Sequence, residues 1–206
     1  SVPGSGKTTV VISVFQMLRE LDEIDALFVI GPPSCFAPWR DEYKKTLGSD
    51  PKFEIAAGGN RDERRSKYSV SRDTVPDLFL TTFQTLQRDS DYVRIMFEHH
   101  GLRFFLVVDE AHYIKQLDGV WATAALEIAP HATRRCILTG TPFPRSYVDA
   151  FNLFDILWPK SPPISEEEKH LIRHHVQTQD YPQAKQILNN TIHPLFYRVR
   201  KSELNL

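Results

Sequence analysis

Cysteine is scarce in this chain of 206 residues, with two in all, and the scarcity narrows the field before any motif is read. Cys35 and Cys136 stand far apart in unlike contexts, with no CxxC pair and no companion histidine spacing of the kind that holds zinc. A reducing, intracellular setting is the expectation, cytoplasmic in a bacterium or nuclear in a eukaryote. Long apolar runs are also missing. None approaches the roughly 20 residues that span a bilayer, so no membrane partner is expected, and residues 1–9 are Gly-rich rather than a signal peptide. An excess of one charge is absent too: the net charge is -1, which gives no global signature of nucleic-acid binding. Any such contact has to come from local clusters of Lys and Arg. There is no internal repeat and no low-complexity segment.

What is present is a composition of 41% hydrophobic and 25% charged residues, enough for one globular unit with a real core. Short apolar, β-rich runs at 26–31, 53–56, 78–82, 103–109 and 134–139 read as strands. Their continuous rather than alternating hydrophobicity implies burial on both faces. Helical spacing falls between them, at 8–20, 36–47, 60–68, 83–99 and 117–128. Alternation of helix and strand predicts an α/β fold, a mostly parallel sheet flanked by helices and joined by right-handed crossovers. From Pro142 the pattern becomes all-helical, with helices predicted at 147–157, 166–178 and 183–191, separated by Pro159, Pro162, Pro163 and Pro182.

Gly4-Ser5-Gly6-Lys7-Thr8 carries the strongest local chemistry. Glycines let successive amides converge on phosphate oxygens, and the helix beginning near Lys7 adds its positive dipole end. Lys7 offsets β/γ-phosphate charge, Thr8 offers a hydroxyl to Mg²⁺, and Thr9 continues the binding segment. Ser1 stands where such a loop usually opens with Gly or Ala, so the match rests on the second half. Such a loop normally follows a buried strand, and here it begins at the first residue; the chain reads as a piece of something longer.

Asp109-Glu110-Ala111-His112 closes the apolar run Phe104–Val108, which places two carboxylates at the C-terminal end of a buried strand, where open α/β sheets bind ligands. Asp109 there holds Mg²⁺, and Glu110 orients and deprotonates the water that attacks the γ-phosphate of ATP. Lys7, Asp109 and Glu110 are the catalytic candidates. Leu138-Thr139-Gly140-Thr141-Pro142 ends the next strand, a third segment converging on the same cleft. For nucleic acid, Gly31-Pro32-Pro33-Ser34 and Leu80-Thr81-Thr82-Phe83-Gln84 offer strand-end hydroxyls and amides expected to be exposed. Arg61, Arg64, Arg65 and Lys67 form one basic cluster, and Arg198, Arg200 and Lys201 another; a solvated helix face is the commoner use of such clusters. Trp39 and Tyr43 lie four apart on a helix, where core packing is favoured over base stacking. His170 and His174 are also four apart, but no glutamate completes a metal motif, so a surface helix is favoured.

Taken in order, these segments resemble the Swi/Snf-type ATPases of helicase superfamily two, DEAH-box proteins with bacterial relatives. The resemblance runs from Gly4–Thr8 through Pro32–Trp39 with Glu42, Leu80–Leu86, Asp109–His112, Leu138–Pro142 and Phe151–Leu157 to the closing Phe196–Leu204. Two departures are Phe143-Pro144-Arg145 in place of Leu-Gln-Asn and the absence of an acidic-Met-Gly-Leu-Gly lead-in. The resemblance implies a RecA-like P-loop lobe over residues 1–158 and a helical extension over 159–206 leading toward a second lobe. It implies ATP and Mg²⁺ as cofactors, double-stranded DNA as the track, and Pro32, Trp39, Thr81 and Thr82 beside that track. His112, Thr139, Gly140 and Thr141 couple hydrolysis to movement. An arginine finger comes from the second lobe, so this lobe alone is expected to turn ATP over poorly. Two other readings stand beside the motor: a nucleotide-gated scaffold that docks a nuclease or methyltransferase, and a helicase of the same superfamily acting on RNA or single strands.

Overall fold

The computed structural model describes residues 6–98, 101–114, 119–140 and 147–192. Strands β1 (Ala26–Ile30), β2 (Phe53–Ala56), β3 (Leu78–Thr81), β4 (Phe104–Val108) and β5 (Arg134–Ile137) form one sheet in the order β2-β3-β1-β4-β5. Every pairing is parallel. Among the described residues the helices are α1 (Lys7–Glu20), α2 (Phe36–Leu47), α3 (Arg61–Tyr68), α4 (Phe83–Glu98), α5 (Val120–Ile128), α6 (Ala150–Leu157), α7 (Glu166–Gln177) and α8 (Tyr181–Ile192).

Side chains alternate across a strand, and both faces of this sheet are covered. In β1, Ala26, Phe28 and Ile30 enter a core shared with α4 and α5, whereas Leu27 and Val29 enter one shared with α1 and α2. Each face thus has its own apolar layer, which is why the strands read as unbroken hydrophobic runs. Aromatic rings fill the first core: Phe97 stands edge-on to Phe28 at 5.1 Å and stacks on Phe104 at 4.5 Å. Burying each such ring stabilises the fold by about 1.5–3 kcal/mol.

Local signals set the helix ends. Asn60 and Glu63 form a reciprocal capping box on α3, and Ser165 and Glu168 form another on α7. Gly48, with φ 75°, ends α2 in the left-handed conformation that glycine adopts without strain. Pro182, read from sequence as a separator, lies inside the first turn of α8, where its missing N–H costs nothing. The segment predicted as one helix from 147 begins instead with a 3-10 turn, Tyr147–Asp149, before α6.

Helix α6 has two working faces. Leu153 and Ile156 join the sheet's first core, while Phe151 and Phe154 join a third core with Ile164, ahead of α7, and with Ile172, Ala184, Leu188 and Ile192 from the α7–α8 hairpin. Lys169 is buried in that junction, donating to Asp155 at 2.8 Å and to Glu166 at 2.7 Å. Arg135 of β5 gathers three backbone carbonyls, those of Ala129, Ala132 and Leu157. No helix among the described residues is long and apolar enough to cross a membrane.

A buried ion pair ties α3 to α4. Arg64 donates from Nε to Asp89 Oδ2 at 2.6 Å and from Nη2 to Oδ1 at 2.9 Å, with the Asp89 side chain fully buried. Tyr68 donates to the same carboxylate, and the third Arg64 nitrogen donates to the Gly59 carbonyl at 2.8 Å. Removing one member of such a pair leaves an uncompensated buried charge, which costs about 3–5 kcal/mol. Arg64→Ala is therefore expected to lower the unfolding free energy measured by urea denaturation by an amount in that range, and Arg64→Met with Asp89→Leu to recover most of it. A loss under about 1 kcal/mol in Arg64→Ala, a cost ordinary for an exposed pair, contradicts the assignment.

Candidate functional site

Parallel strands deliver all their C-terminal ends to one edge of the sheet. From β1 the chain crosses toward β2, and from β4 it crosses the other way toward β5. The β1–β4 boundary is thus the switch point at which open α/β sheets bind ligands. Gly31 and Asp109, the residues just past those two strands, meet there. A Cβ built on Gly31 would lie 3.4 Å from Asp109 Cβ and 2.7 Å from Cys35 Sγ, so the position admits glycine alone without movement. Backbone bonds stitch the edge together: Asp109 N–H donates to the Ile30 carbonyl at 2.7 Å, Gly31 N–H to Thr81 at 3.0 Å, and Ala111 N–H to Leu138 at 3.0 Å.

Asp109 is half-buried, and its two oxygens have different donors. Trp39 Nε1–H donates to Oδ2 at 2.9 Å, and the Glu110 amide donates to Oδ1 at 2.8 Å. Glu110 carries a φ of 50°, a left-handed backbone for a residue with a Cβ, and its carboxylate lies 3.2 Å from His112 Nδ1. Strain of this kind persists only where surrounding structure over-determines it. The His112 ring lies 4.3 Å from that of Tyr113. Tyr113 in turn meets Phe83, the first residue of α4, at 5.6 Å, and Phe83 stacks on Trp121 of α5 at 5.9 Å.

At the start of α1, Gly6 takes φ 69° as N-cap, and Lys7 and Thr8 occupy the first turn, both half-buried. The amides of a first helical turn have no intrahelical acceptor and face outward with the positive dipole end. Helix α2 connects this turn to the acidic pair. Trp39 and Glu42 are three apart on α2 and therefore neighbours on one face; Trp39 reaches Asp109, and Glu42 accepts the Thr9 hydroxyl at 2.5 Å. Thr9, expected beside the nucleotide, thus directs its hydroxyl to Glu42. A single helical turn of α2 holds both the beginning of α1 and the end of β4. The donor set suits a hard cation: a Thr8 hydroxyl, and a carboxylate with roughly four acceptor sites of which two are taken. Gly4, Ser5 and Thr141 lie outside the described residues; Thr139 and Gly140, half-buried, follow β5 on the same edge.

The residues expected beside a strand are divided by the structure. Pro32 is half-buried, and Pro33 and Ser34 are exposed in a 3-10 turn ahead of α2. Exposed hydroxyls were expected at Thr81 and Thr82 and are not found. Thr81 Oγ1 donates to the Ala56 carbonyl at 2.7 Å inside the sheet, and Thr82 Oγ1 accepts the Thr85 amide at 3.1 Å. Both hydroxyls satisfy buried polar groups. Trp39 is 1% exposed, and Tyr43 is buried with it in the second core, so no base reaches the indole in this arrangement. The first basic cluster is dispersed likewise: Arg64 holds Asp89, Lys67 donates to the Ile55 carbonyl and pairs with Glu54, and Arg61 and Arg65 lie over the Tyr92 ring. The second, Arg198 to Lys201, lies outside the described residues. No group of His, Cys, Asp and Glu able to hold a metal by itself occurs among the described residues, His170 and His174 included.

Burial, reinforced by the nearby Asp109 charge, pushes the Cys35 thiol up to about 12 and the Cys136 thiol up to about 11. Neither is a thiolate at neutral pH, so neither serves as a nucleophile. Sequence reasoning assigned no role to Glu42 or to the Phe83–Tyr113–Trp121 stack. The spacing of Glu42 three residues past Trp39 was the available signal; the stack joins residues far apart in sequence and had none.

The Glu110 backbone is open to a direct test. Glu110→Ala and Glu110→Gly both remove the carboxylate, but only glycine relieves the left-handed φ, worth about 1–2 kcal/mol. The glycine variant is expected to be the more stable of the two by that margin in chemical denaturation; equal stabilities contradict it.

The model of the SNF2-related domain matches residues 3–206. Among curated proteins, the chain is 28% identical to the DNA repair protein RAD5 of Candida glabrata over 84% of its own length and 16% of that protein's. It is 29% identical to the transcription regulatory protein SNF2 of Saccharomyces cerevisiae, over 76% of its length and 9% of the relative's. Among solved structures, the Sulfolobus solfataricus SWI2/SNF2 ATPase core in complex with dsDNA aligns with a TM-score of 0.75 and 27% identity, covering 98% of this chain and 40% of that one. The chain therefore spans less than a fifth of these curated relatives and two fifths of the solved core. With its parallel sheet, helix-start lysine and strand-end acids, it belongs to the SNF2-related domain family.

Proposed function

We propose that this chain is the ATP-binding lobe of a motor that couples ATP hydrolysis to movement on double-stranded DNA. The observation carrying the proposal is the double anchorage of α2, whose Trp39 and Glu42 bring the Lys7–Thr8 turn and the Asp109–Glu110 pair to one edge of the sheet. Support for duplex DNA comes from the solved Sulfolobus core, which is in complex with dsDNA. An intracellular home accords with relatives in DNA repair and transcription regulation.

In this reading the Gly4–Thr9 segment cradles the triphosphate, and Lys7 offsets charge that grows on the β/γ oxygens during phosphoryl transfer. Thr8 and Asp109 would hold Mg²⁺, which would supply the remaining neutralisation. Glu110 orients the attacking water and takes its proton, and the bond from the γ-phosphorus to the bridging oxygen breaks as the new bond to water oxygen forms. His112, in contact with the Glu110 carboxylate, and the Thr139–Gly140–Thr141 segment pass the state of the nucleotide to elements beside the DNA. Pro32 and the exposed Pro33–Ser34 turn meet the strand. Residues 1–158 act as the lobe, and 159–206 as a helical extension toward a second one that provides the arginine finger.

Glu110→Gln in the full-length protein is expected to keep nucleotide affinity and lose hydrolysis by at least about a hundredfold, while Lys7→Ala loses the affinity itself. Duplex DNA is expected to stimulate phosphate release more than single-stranded DNA or RNA; a preference for either of those moves the substrate to another branch of the superfamily. Parental hydrolysis by Glu110→Gln removes the glutamate from its role.

A further inference from the structure

We infer that Trp39 is a positioning residue for the metal-binding carboxylate of Asp109, and that it acts on the nucleotide side of the sheet edge instead of touching the DNA. The inference rests on the reading of Asp109 as the magnesium carboxylate and goes beyond it by naming what holds that carboxylate in place.

The indole is 1% exposed, walled by the second core in which Val11, Ile12, Phe15 and Tyr43 also lie. A buried indole has one donor and must find an acceptor for it. The acceptor here is Asp109 Oδ2 at 2.9 Å, a charge-assisted bond roughly twice as strong as a neutral one. Because Oδ1 is held separately by the Glu110 amide at 2.8 Å, the carboxylate cannot rotate without losing a donor. Metal sites tolerate misplacement of only about 0.5 Å, so a carboxylate fixed before the ion arrives binds it more tightly than one left free. Steric support comes from the same helix: Cys35 Sγ, at the N-cap of α2, would stand 2.7 Å from any Cβ placed on Gly31, and Gly31 in turn abuts Asp109.

The position of α2 also gives this bond a direction. Pro33 and Ser34 are exposed immediately ahead of the helix, and one turn into it Trp39 holds Asp109 while Glu42 holds Thr9. A strand pressing on the turn bears on the helix that positions both halves of the nucleotide site. Trp39 is the element of that helix that meets the metal ligand.

The test measures affinity for a fluorescent, non-hydrolysable ATP analogue in Mg²⁺ and in EDTA, using the full-length protein, and takes the ratio of the two dissociation constants. Trp39→Phe keeps an aromatic ring in the core, though a smaller one, and removes the donor. Its ratio is expected to fall about tenfold, with the EDTA affinity and the affinity for duplex DNA unchanged. An unchanged ratio, or a loss of DNA affinity with the ratio intact, overturns the inference. Asp109→Asn is the control: if it abolishes the ratio while Trp39→Phe spares it, only the role of Trp39 fails. If Asp109→Asn also leaves the ratio untouched, the metal assignment fails and takes the inference with it. In the unsubstituted protein, the Trp39 indole N–H resonance is expected to move on adding Mg²⁺ and analogue together but not analogue alone, a readout that does not depend on any variant folding. Indole N–H resonances that ignore Mg²⁺ contradict the proposal.

Discussion

Burial of the sheet on both faces is the constraint from which the rest of the molecule follows. Along β1 and β4 every side chain is enclosed, so a charge has nowhere to sit except beyond the two ends of the strand. An uncompensated charge inside costs several kcal/mol or more, so charges sit at the strand ends: Asp25 and Arg103 pair just before β1 and β4, and parallel pairing gathers the other ends at a single edge. Chemistry gathers beyond Ile30, Thr81, Val108 and Ile137 because the interior refuses it. Where a charge does go inside, as at Asp89 or Lys169, it arrives with its partners already in place.

The sheet and the helix that opens at Lys7 were legible in the sequence because each is a local pattern. Unbroken apolar runs at 26–31 and 103–109 announced strands covered twice over, and a lysine after glycine, opening a helix, announced its chemistry by adjacency. The acids at the end of β4 were found for the same reason. What could not be read were pairings made across the fold. Nothing in the run Arg61 to Lys67 distinguishes Arg64, which goes inside to meet Asp89 twenty-five residues later, from Arg61 and Arg65, which stay outside. Thr81 and Thr82 look like free hydroxyls at a strand end; only the neighbouring Ala56 carbonyl and the start of α4 reveal that both are engaged.

At Trp39 the neighbouring charges and the helical spacing pointed different ways, and the core packing favoured by the spacing is what the structure has. An aromatic among Arg40, Lys44 and Lys45 has the composition of a base-stacking patch, and the resemblance set it near the strand. Helical geometry separates the two tendencies, turning Trp39 and Tyr43 to the core while Lys44 and Lys45 stay in solvent. The polar end of the indole then has to be satisfied from within, and its acceptor is the Asp109 carboxylate just past β4. A packing decision in α2 therefore becomes a decision about the geometry of the site.

Arg135 has a similar reach at the other side of the molecule. Its guanidinium is the shared donor for carbonyls at 129, 132 and 157, so the end of α5 and the end of α6 cannot drift apart without stranding acceptors. Desolvation draws this guanidinium below its ordinary range, yet it stays cationic at physiological pH. The α7–α8 hairpin is packed on the far side of α6. The hairpin is thus joined to the sheet through α6, by the apolar contacts of Leu153 and Ile156 and by the Arg135 bridge to β5, and β5 runs directly into Leu138, Thr139 and Gly140. Two different fastenings, one apolar and one polar, therefore tie the helical appendage to the strand that ends beside Asp109 and Glu110.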